Sequence, residues 1–433
     1  MLPESVLVCL GVFEGCFTAP GHARFVTLMT GWLLCVGKHT VTGVMRAAGV
    51  AEAREHSGYH RFFSRGAWSP DGVGLALARL VLPLTSPTVL SLDDTLARHT
   101  GKHIALAGMH RDPLLSCASR PFWHFGHNWV VLAVVVQMPW GKRYSLPLLT
   151  RLYRTEKVNK RMGRAHRKKT DLGLELLQVL SDAYPKRDFV VVADNAYVNR
   201  SVVRPLPANI QLVGRGRMDA ALYAAPPAYR GRGRPRVRGR RLATPKQRAD
   251  RGRWRTVEAT IYGRQAEVQV QVFDALWYIV GRERLLRLVV IRGWPGHDKD
   301  DVLMTTDLTL TAEQAIELYC QRWTLEETFG WVKSRLGFED PHNRTEHAVQ
   351  RTAPMALWSY TLVVHWYGRW CRRRRQLPMR AAPWQTMKTS PSFADMLATL
   401  RRQSWVLWVS DQARRGRLDQ KSLAPLLDVA GYG

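Results

Sequence analysis

The sequence predicts a mixed α/β protein whose sheet-forming middle is flanked by helical regions. Three observations carry that expectation. Residues 1–80 contain no alternating strand run. Several β-branched runs, bounded by turn residues, fall between 88 and 306. Residues 345–433 return to helical, basic character.

Taken in order, Gly37–Gly49 suits a small helix opened by a cap at Thr40 or Thr42. His60–Arg65 mixes basic and aromatic residues, as a DNA-facing helix or a half-buried amphipathic helix would. Thr88–Leu92, the Val-rich Trp129–Gln137 and Arg143–Leu149 read as three strands, the last two joined through Pro139-Trp140-Gly141. Leu172, Leu176, Val179 and Leu180 place a helix over 171–183, and Phe189–Ala193 and Ile210–Val213 are buried strands. Residues 214–256 break the pattern, and Arg230–Arg255, almost all Arg, Gly, Pro and Ala, read as a loop or a partly disordered basic segment. Arg255–Tyr262, Ala266–Phe273, Trp277–Val280 and Leu286–Arg292 then form a small β-rich insertion, followed by a strand at Val302–Thr306. Thr311 opens one long helix to about Leu336, stopped by Gly337 with Pro341 beyond. The expected division is a helical N-terminal region at 1–85 and a sheet-forming domain at 86–345 interrupted over about 215–300. A basic helical region at 346–433 completes it.

Charge narrows the function. Sixty-four Lys and Arg against 35 Asp and Glu give a formal charge of +29, which favours an anionic partner, most simply nucleic acid. The apolar runs at 25–37 and 130–136 fall short of the roughly 20 residues a bilayer helix needs. The run at 355–367 is aromatic-rich and carries His365, so it suits a packed helix, and no membrane partner is expected. Met-Leu-Pro-Glu lacks the basic start of a signal peptide. The six cysteines form no CxxC pair and are expected to be reduced core residues of a cytoplasmic protein.

The most informative helix is the one opened by Thr311. On a wheel, Tyr319, Arg322, Glu326 and Lys333 project to roughly 0°, 300°, 340° and 320°, one narrow stripe beside an apolar seam of Leu325, Phe329, Val332 and Leu336. Such a stripe also suits a plain solvated face. Glu327 projects off it, near roughly 80°. The spacing Y-x2-R-x3-E-x6-K resembles the signature around the catalytic glutamate of DDE-type bacterial insertion-sequence transposases. Upstream, Val89-Leu90-Ser91-Leu92-Asp93-Asp94-Thr95 and Val190-Val191-Val192-Ala193-Asp194 each end a strand in acid, as in that group. The resemblance covers residues 40–345, more weakly at His60–Trp68, and implies a ribonuclease-H-like catalytic core.

It also implies the chemistry. Asp94, Asp194 and Glu326 would be the catalytic carboxylates and hold two Mg²⁺ ions, with Mn²⁺ able to substitute. Asp94 is preferred because the family's aspartate directly precedes the Thr; alternation along a strand lets only one of the pair face the site, and Asp93 is the alternative. Tyr319, Arg322 and Lys333 would grip the phosphate beside the cut. Trp323 or Trp294 would stack on a flipped base, against a simple core-packing role. Arg232, Arg234 and Arg236 form an AT-hook-like core or a general phosphate-binding arm. His99, His103, His124 and His127 are given structural or DNA-facing roles, because hard-metal chemistry has no need of imidazole. The implied activity is cut-and-paste transposition: binding terminal inverted repeats, cutting the DNA and joining 3′ ends to target DNA, as a homodimer on DNA at the bacterial nucleoid. A retired DNA-binding relative or another metal nuclease of the same fold are the alternatives.

Overall fold

The computed structural model describes residues 1–52, 56–101, 103–112, 115–117, 119–229, 231, 234–379 and 388–416. The described residues up to Val81 hold helices and no strand, as expected: α1 (Glu4–Gly11), α2 (Ala19–Leu34), α3 (Val41–Ala47), α4 (His56–Ser64) and α5 (Pro70–Val81). Thr40 caps α3, its hydroxyl accepting from the Gly43 N–H at 3.1 Å. On α4, Phe62 and Phe63 are buried while His60 and Arg61 face outward.

A mixed sheet follows. Its first half comprises β1 (Thr88–Arg98), β2 (Gly108–Arg111), β3 (Trp123–Gln137) and β4 (Arg143–Tyr153), then α6 (Glu156–Arg161) and α7 (Lys169–Ala183). These lead to β5 (Phe189–Ala193), α8 (Arg200–Val203) and β6 (Ile210–Arg215). β3 is antiparallel to β1 and β4, whereas β1, β5 and β6 run parallel. The order β4-β3-β1-β5-β6 is that of a ribonuclease-H-like core. α5 lies so close to β4 that a Cβ at Gly74 would sit 2.4 Å from the Leu148 carbonyl oxygen, which only glycine avoids.

The second half is α9 (Pro245–Arg251), β7 (Arg255–Ile261), β8 (Arg264–Ala275), α10 (Tyr278–Gly281), β9 (Leu286–Arg292) and β10 (Asp301–Thr305). These strands join the main sheet edge-on: β10 pairs antiparallel with β6, and β9, β8 and β7 follow, giving ten strands in one sheet. Trp277–Val280, expected as a strand, is a helical turn. Tyr223 and Leu276 bridge at the end of β8, and Arg282 reverses the chain with φ +53°, so tertiary pairing overrides the apolar run.

The helix expected from Thr311 to Leu336 is two helices, α11 (Ala312–Cys320) and α12 (Trp323–Arg335). At the break the backbone tightens: Arg322 N–H bonds Tyr319 O at 3.0 Å and Leu325 N–H bonds Arg322 O at 3.0 Å. The Thr324 hydroxyl donates to Gln321 O at 2.8 Å and competes there with the helix ladder. The seam residues Leu325, Phe329, Val332 and Leu336 are buried. The long α13 (Glu346–Arg374) crosses the core, where Trp358 and Thr361 donate to the Leu148 and Pro147 carbonyls at 3.1 and 2.8 Å. α14 (Phe393–Arg414) ends the described chain. All six cysteines are free; Cys117 is exposed and Cys16 half-buried, so these two are not core residues.

Candidate active site

β1 pairs with β5 only as far as Leu92, opposite Ala193. Beyond that point β1 continues to Arg98 with β3 alone on its other side, so one edge of the strand lies open. Asp93 is the first residue of that open stretch, and Asp194 follows directly from β5 beside it.

Strand alternation divides the two aspartates. Ser91 contacts Ser145 at 2.8 Å, and Ser145 contacts Thr324 of α12 at 2.6 Å, so the odd-numbered residues of β1 face α12. On that face Asp93 Oδ2 accepts from Arg322 Nη1 at 2.9 Å, and the same nitrogen donates to Glu326 Oε1 at 2.6 Å. Asp94 lies on the other face: its Oδ2 accepts from Lys169 Nζ at 2.6 Å and from Asn128 Nδ2 at 3.1 Å. The sequence favoured Asp94, yet the residue brought to Arg322 and Glu326 is Asp93. Glu327 points elsewhere, pairing with Lys142 at 3.1 Å.

The electrostatics tie Asp194 to the same cluster. The Tyr319 hydroxyl, on α11, is pushed up to about 12, first by burial, with Asp194 raising it and Arg322 and Arg215 lowering it. The buried Tyr197 hydroxyl is held well above the usual phenol range by burial, then by Asp94, Asp93 and Asp194. Burial pushes the Asp93 carboxyl up to about 7; Arg322 opposes this, while Asp94 and Glu326 add to it. Arg322 stays firmly charged despite burial because Asp93, Tyr319 and Glu326 surround it.

Lys333 lies farther along α12, near the end of β1's open edge. Burial lowers its ammonium pKa, Glu339 raises it, Arg98 lowers it and Asp112 raises it. Arg322, Glu326 and Lys333 thus share one side of α12, while Tyr319 reaches in from α11. Two cations escaped the sequence reasoning. Arg215 ends β6, is clamped by Asp301 at 2.8 Å through both Nε and Nη2, and faces Tyr319 and Asp194. Lys169 opens α7 against Asp94. The Gly214-Arg215-Gly216-Arg217 run at a strand end was the available signal for Arg215.

Of the tryptophans, Trp294 is 4% exposed and packs edge-on against Tyr262 and Tyr319, whereas Trp323 is 48% exposed beside Tyr262. Arg234 and Arg236 are exposed in irregular chain; Arg232 lies outside the described residues. His99 and His127 contact each other at 3.0 Å, and burial lowers them to about 4 and about 3, so both stay neutral. His124 pairs with Asp112 at 3.2 Å and His103 is exposed.

The family model of the DDE superfamily endonucleases matches residues 12–276. The chain belongs to this family. The matched part of this DDE endonuclease contains Asp93, Asp94 and Asp194 and ends before Glu326, so the Y-R-E-K helix lies outside it. No curated protein matches the chain. DDE endonucleases generally use divalent metals. In donor chemistry Asp93, Asp194 and Glu326 suit such an ion: all three are hard oxygen ligands, and a cation would offset the burial, and the lesser repulsion from Asp94 and Glu326, that raise Asp93. As the side chains stand, no three of the described His, Cys, Asp and Glu residues are gathered closely enough to hold one. No helix among the described residues is long and apolar enough to cross a membrane.

Proposed function

We propose that this DDE endonuclease is a DNA transposase that cuts DNA at the ends of its element and joins the 3′ ends to target DNA. One observation carries the reading: Asp93 and Glu326 meet on a single Arg322 nitrogen at the open edge of β1, beside Asp194. Asp93, Asp194 and Glu326 would hold two Mg²⁺ ions, or Mn²⁺ in their place. When bound, such ions make water nucleophilic and stabilise the leaving 3′ oxygen. Arg322 and Lys333 supply charge to the phosphate beside the cut, and the Tyr319 hydroxyl, kept protonated by burial, donates to it. Arg215, fixed by Asp301, faces the same cleft and steadies the neighbouring phosphate. Asp94 positions Lys169 and is assigned no metal.

The basic surface, the +29 charge and the exposed Arg234 and Arg236 suit the backbone of terminal repeats and target DNA. Joining two ends to one target calls for two copies on DNA, so the working form would be a homodimer acting at the nucleoid. The test is cleavage of duplex DNA from the borders of its gene, with Mg²⁺, by the wild type and by Asp93→Ala, Asp194→Ala and Glu326→Ala. Loss of cutting in all three variants with DNA binding retained supports the reading. A wild type that binds those ends and never cuts under Mg²⁺ or Mn²⁺ defeats it. Cutting without joining would leave a nuclease rather than a transposase.

A further inference from the structure

The geometry points to Arg322 as a positioning residue that makes metal and DNA bind cooperatively, by exchanging its carboxylate partners for phosphate. The inference rests on the metal-site reading above. One guanidinium nitrogen, Nη1, holds both Asp93 and Glu326, at 2.9 and 2.6 Å. The two carboxylates therefore spend an oxygen each on Arg322, and the positive charge between them stands where a divalent ion would have to enter. Both charged side chains of the Asp93–Arg322 pair are shielded from solvent, 16% and 15% exposed, so water screens this competition little.

Arg322 also has a reason to leave. Its Nε is buried and has no hydrogen-bond partner among the described residues. A guanidinium offers five donors in a planar fork and matches phosphate in a bidentate way, which its present single-nitrogen hold on two carboxylates does not use. The Tyr319 ring, 5.8 Å from the guanidinium carbon, bounds the side toward Asp194 and Arg215. A phosphate arriving beside Tyr319 would satisfy the fork and free Asp93 and Glu326 for a cation. Each ligand then favours the other by the same factor, because such coupling is reciprocal. The consequence is economy of damage: the carboxylates take up metal chiefly when a phosphodiester is in place.

The experiment is a Mn²⁺ titration read by electron paramagnetic resonance of the free ion, which needs no catalytic turnover. It compares the full-length wild type alone with the wild type saturated, by gel shift, with a duplex from the borders of its gene. It also compares free Arg322→Gln, with its fold checked by circular dichroism. The expected result is weak Mn²⁺ uptake by the free wild type, a gain on the order of 5- to 150-fold with duplex, and tight uptake by free Arg322→Gln. Free wild type that binds Mn²⁺ as tightly as the DNA complex overturns the exchange and leaves the metal site standing. That comparison needs no variant. Absence of Mn²⁺ binding in every arm overturns the metal site itself and the exchange with it.

Discussion

The two adjacent aspartates can be told apart by isosteric substitution. Asp93→Asn removes a negative charge from the face that carries Glu326 and leaves Arg322 in an ion pair with Glu326 alone. Asp94→Asn removes the partner of Lys169 on the opposite face and keeps the Arg322 bonds intact. If Asp93 holds metal, its loss should slow cleavage at least about a thousandfold, some ~4 kcal/mol of barrier. Asp94 acts one residue removed from the chemistry, and supporting groups around metal ligands typically contribute about 10- to 100-fold. The assay is single-turnover cutting of labelled end DNA with Mn²⁺, alongside a gel shift to show that binding survives. Asp94→Asn dead and Asp93→Asn active would refute the assignment, and with it the use of strand alternation to choose between them.

Stability should report the same carboxyl. Because burial holds Asp93 up to about 7, its contribution is fully present below the ordinary carboxylate range and lost as pH rises through about 7. The melting temperature of the wild type should therefore fall relative to Asp93→Asn from about pH 4 to about pH 7, and parallel curves would contradict the shift. Trp294→Ala should cost about 3–5 kcal/mol in denaturant melts, whereas the exposed Trp323→Ala should spare the fold and lower the response of a base-analogue fluorophore placed near the cut. An unchanged fluorescence response would remove Trp323 from the DNA. Ser145→Ala strands the buried hydroxyl of Ser91, cuts the side-chain link from the sheet to Thr324 of α12 and should cost about 1–3 kcal/mol by the same melts. Arg234→Ala with Arg236→Ala should reduce the salt slope of DNA binding by about 0.9 for each phosphate that is no longer neutralised; an identical slope would show that neither touches backbone.

Elements with a strong local signal were legible in the sequence. Phe189–Ala193 and Leu286–Arg292 are strands with the expected ends, since each is a continuous β-branched or Leu-rich run with turns at both sides. β1 and β3 extend past their apolar parts, because Asp93, Asp94 and Asn128 pair in the ladder through backbone groups indifferent to side-chain polarity. The break at Gln321–Arg322 has no Gly or Pro to announce it. It arises from side-chain bonds, those of Thr324 to a helix carbonyl and of Arg322 to Asp93, whose partner lies 229 residues away. The wheel treated Tyr319 and Lys333 as one straight helix; Arg322, Glu326 and Lys333 kept their shared side because Arg322, the N-cap of α12, already has helical backbone angles and the other two lie within α12. Period two said that Asp93 and Asp94 face opposite ways. Which way is which depended on where α12 packs, and a single chain read locally does not contain that.

Joining the late strands to β6 has a mechanical consequence. A module tethered by two linkers could rock; β10 shares hydrogen bonds with β6, so Tyr262 at the far hairpin and Asp194 at the end of β5 ride on one stiff plate. DNA lying across both would meet a ruler of fixed span rather than a closing jaw. Length changes in β7–β10 are then confined to hairpin ends and to steps of two residues, because a single added residue would turn every following side chain to the opposite side of the plate.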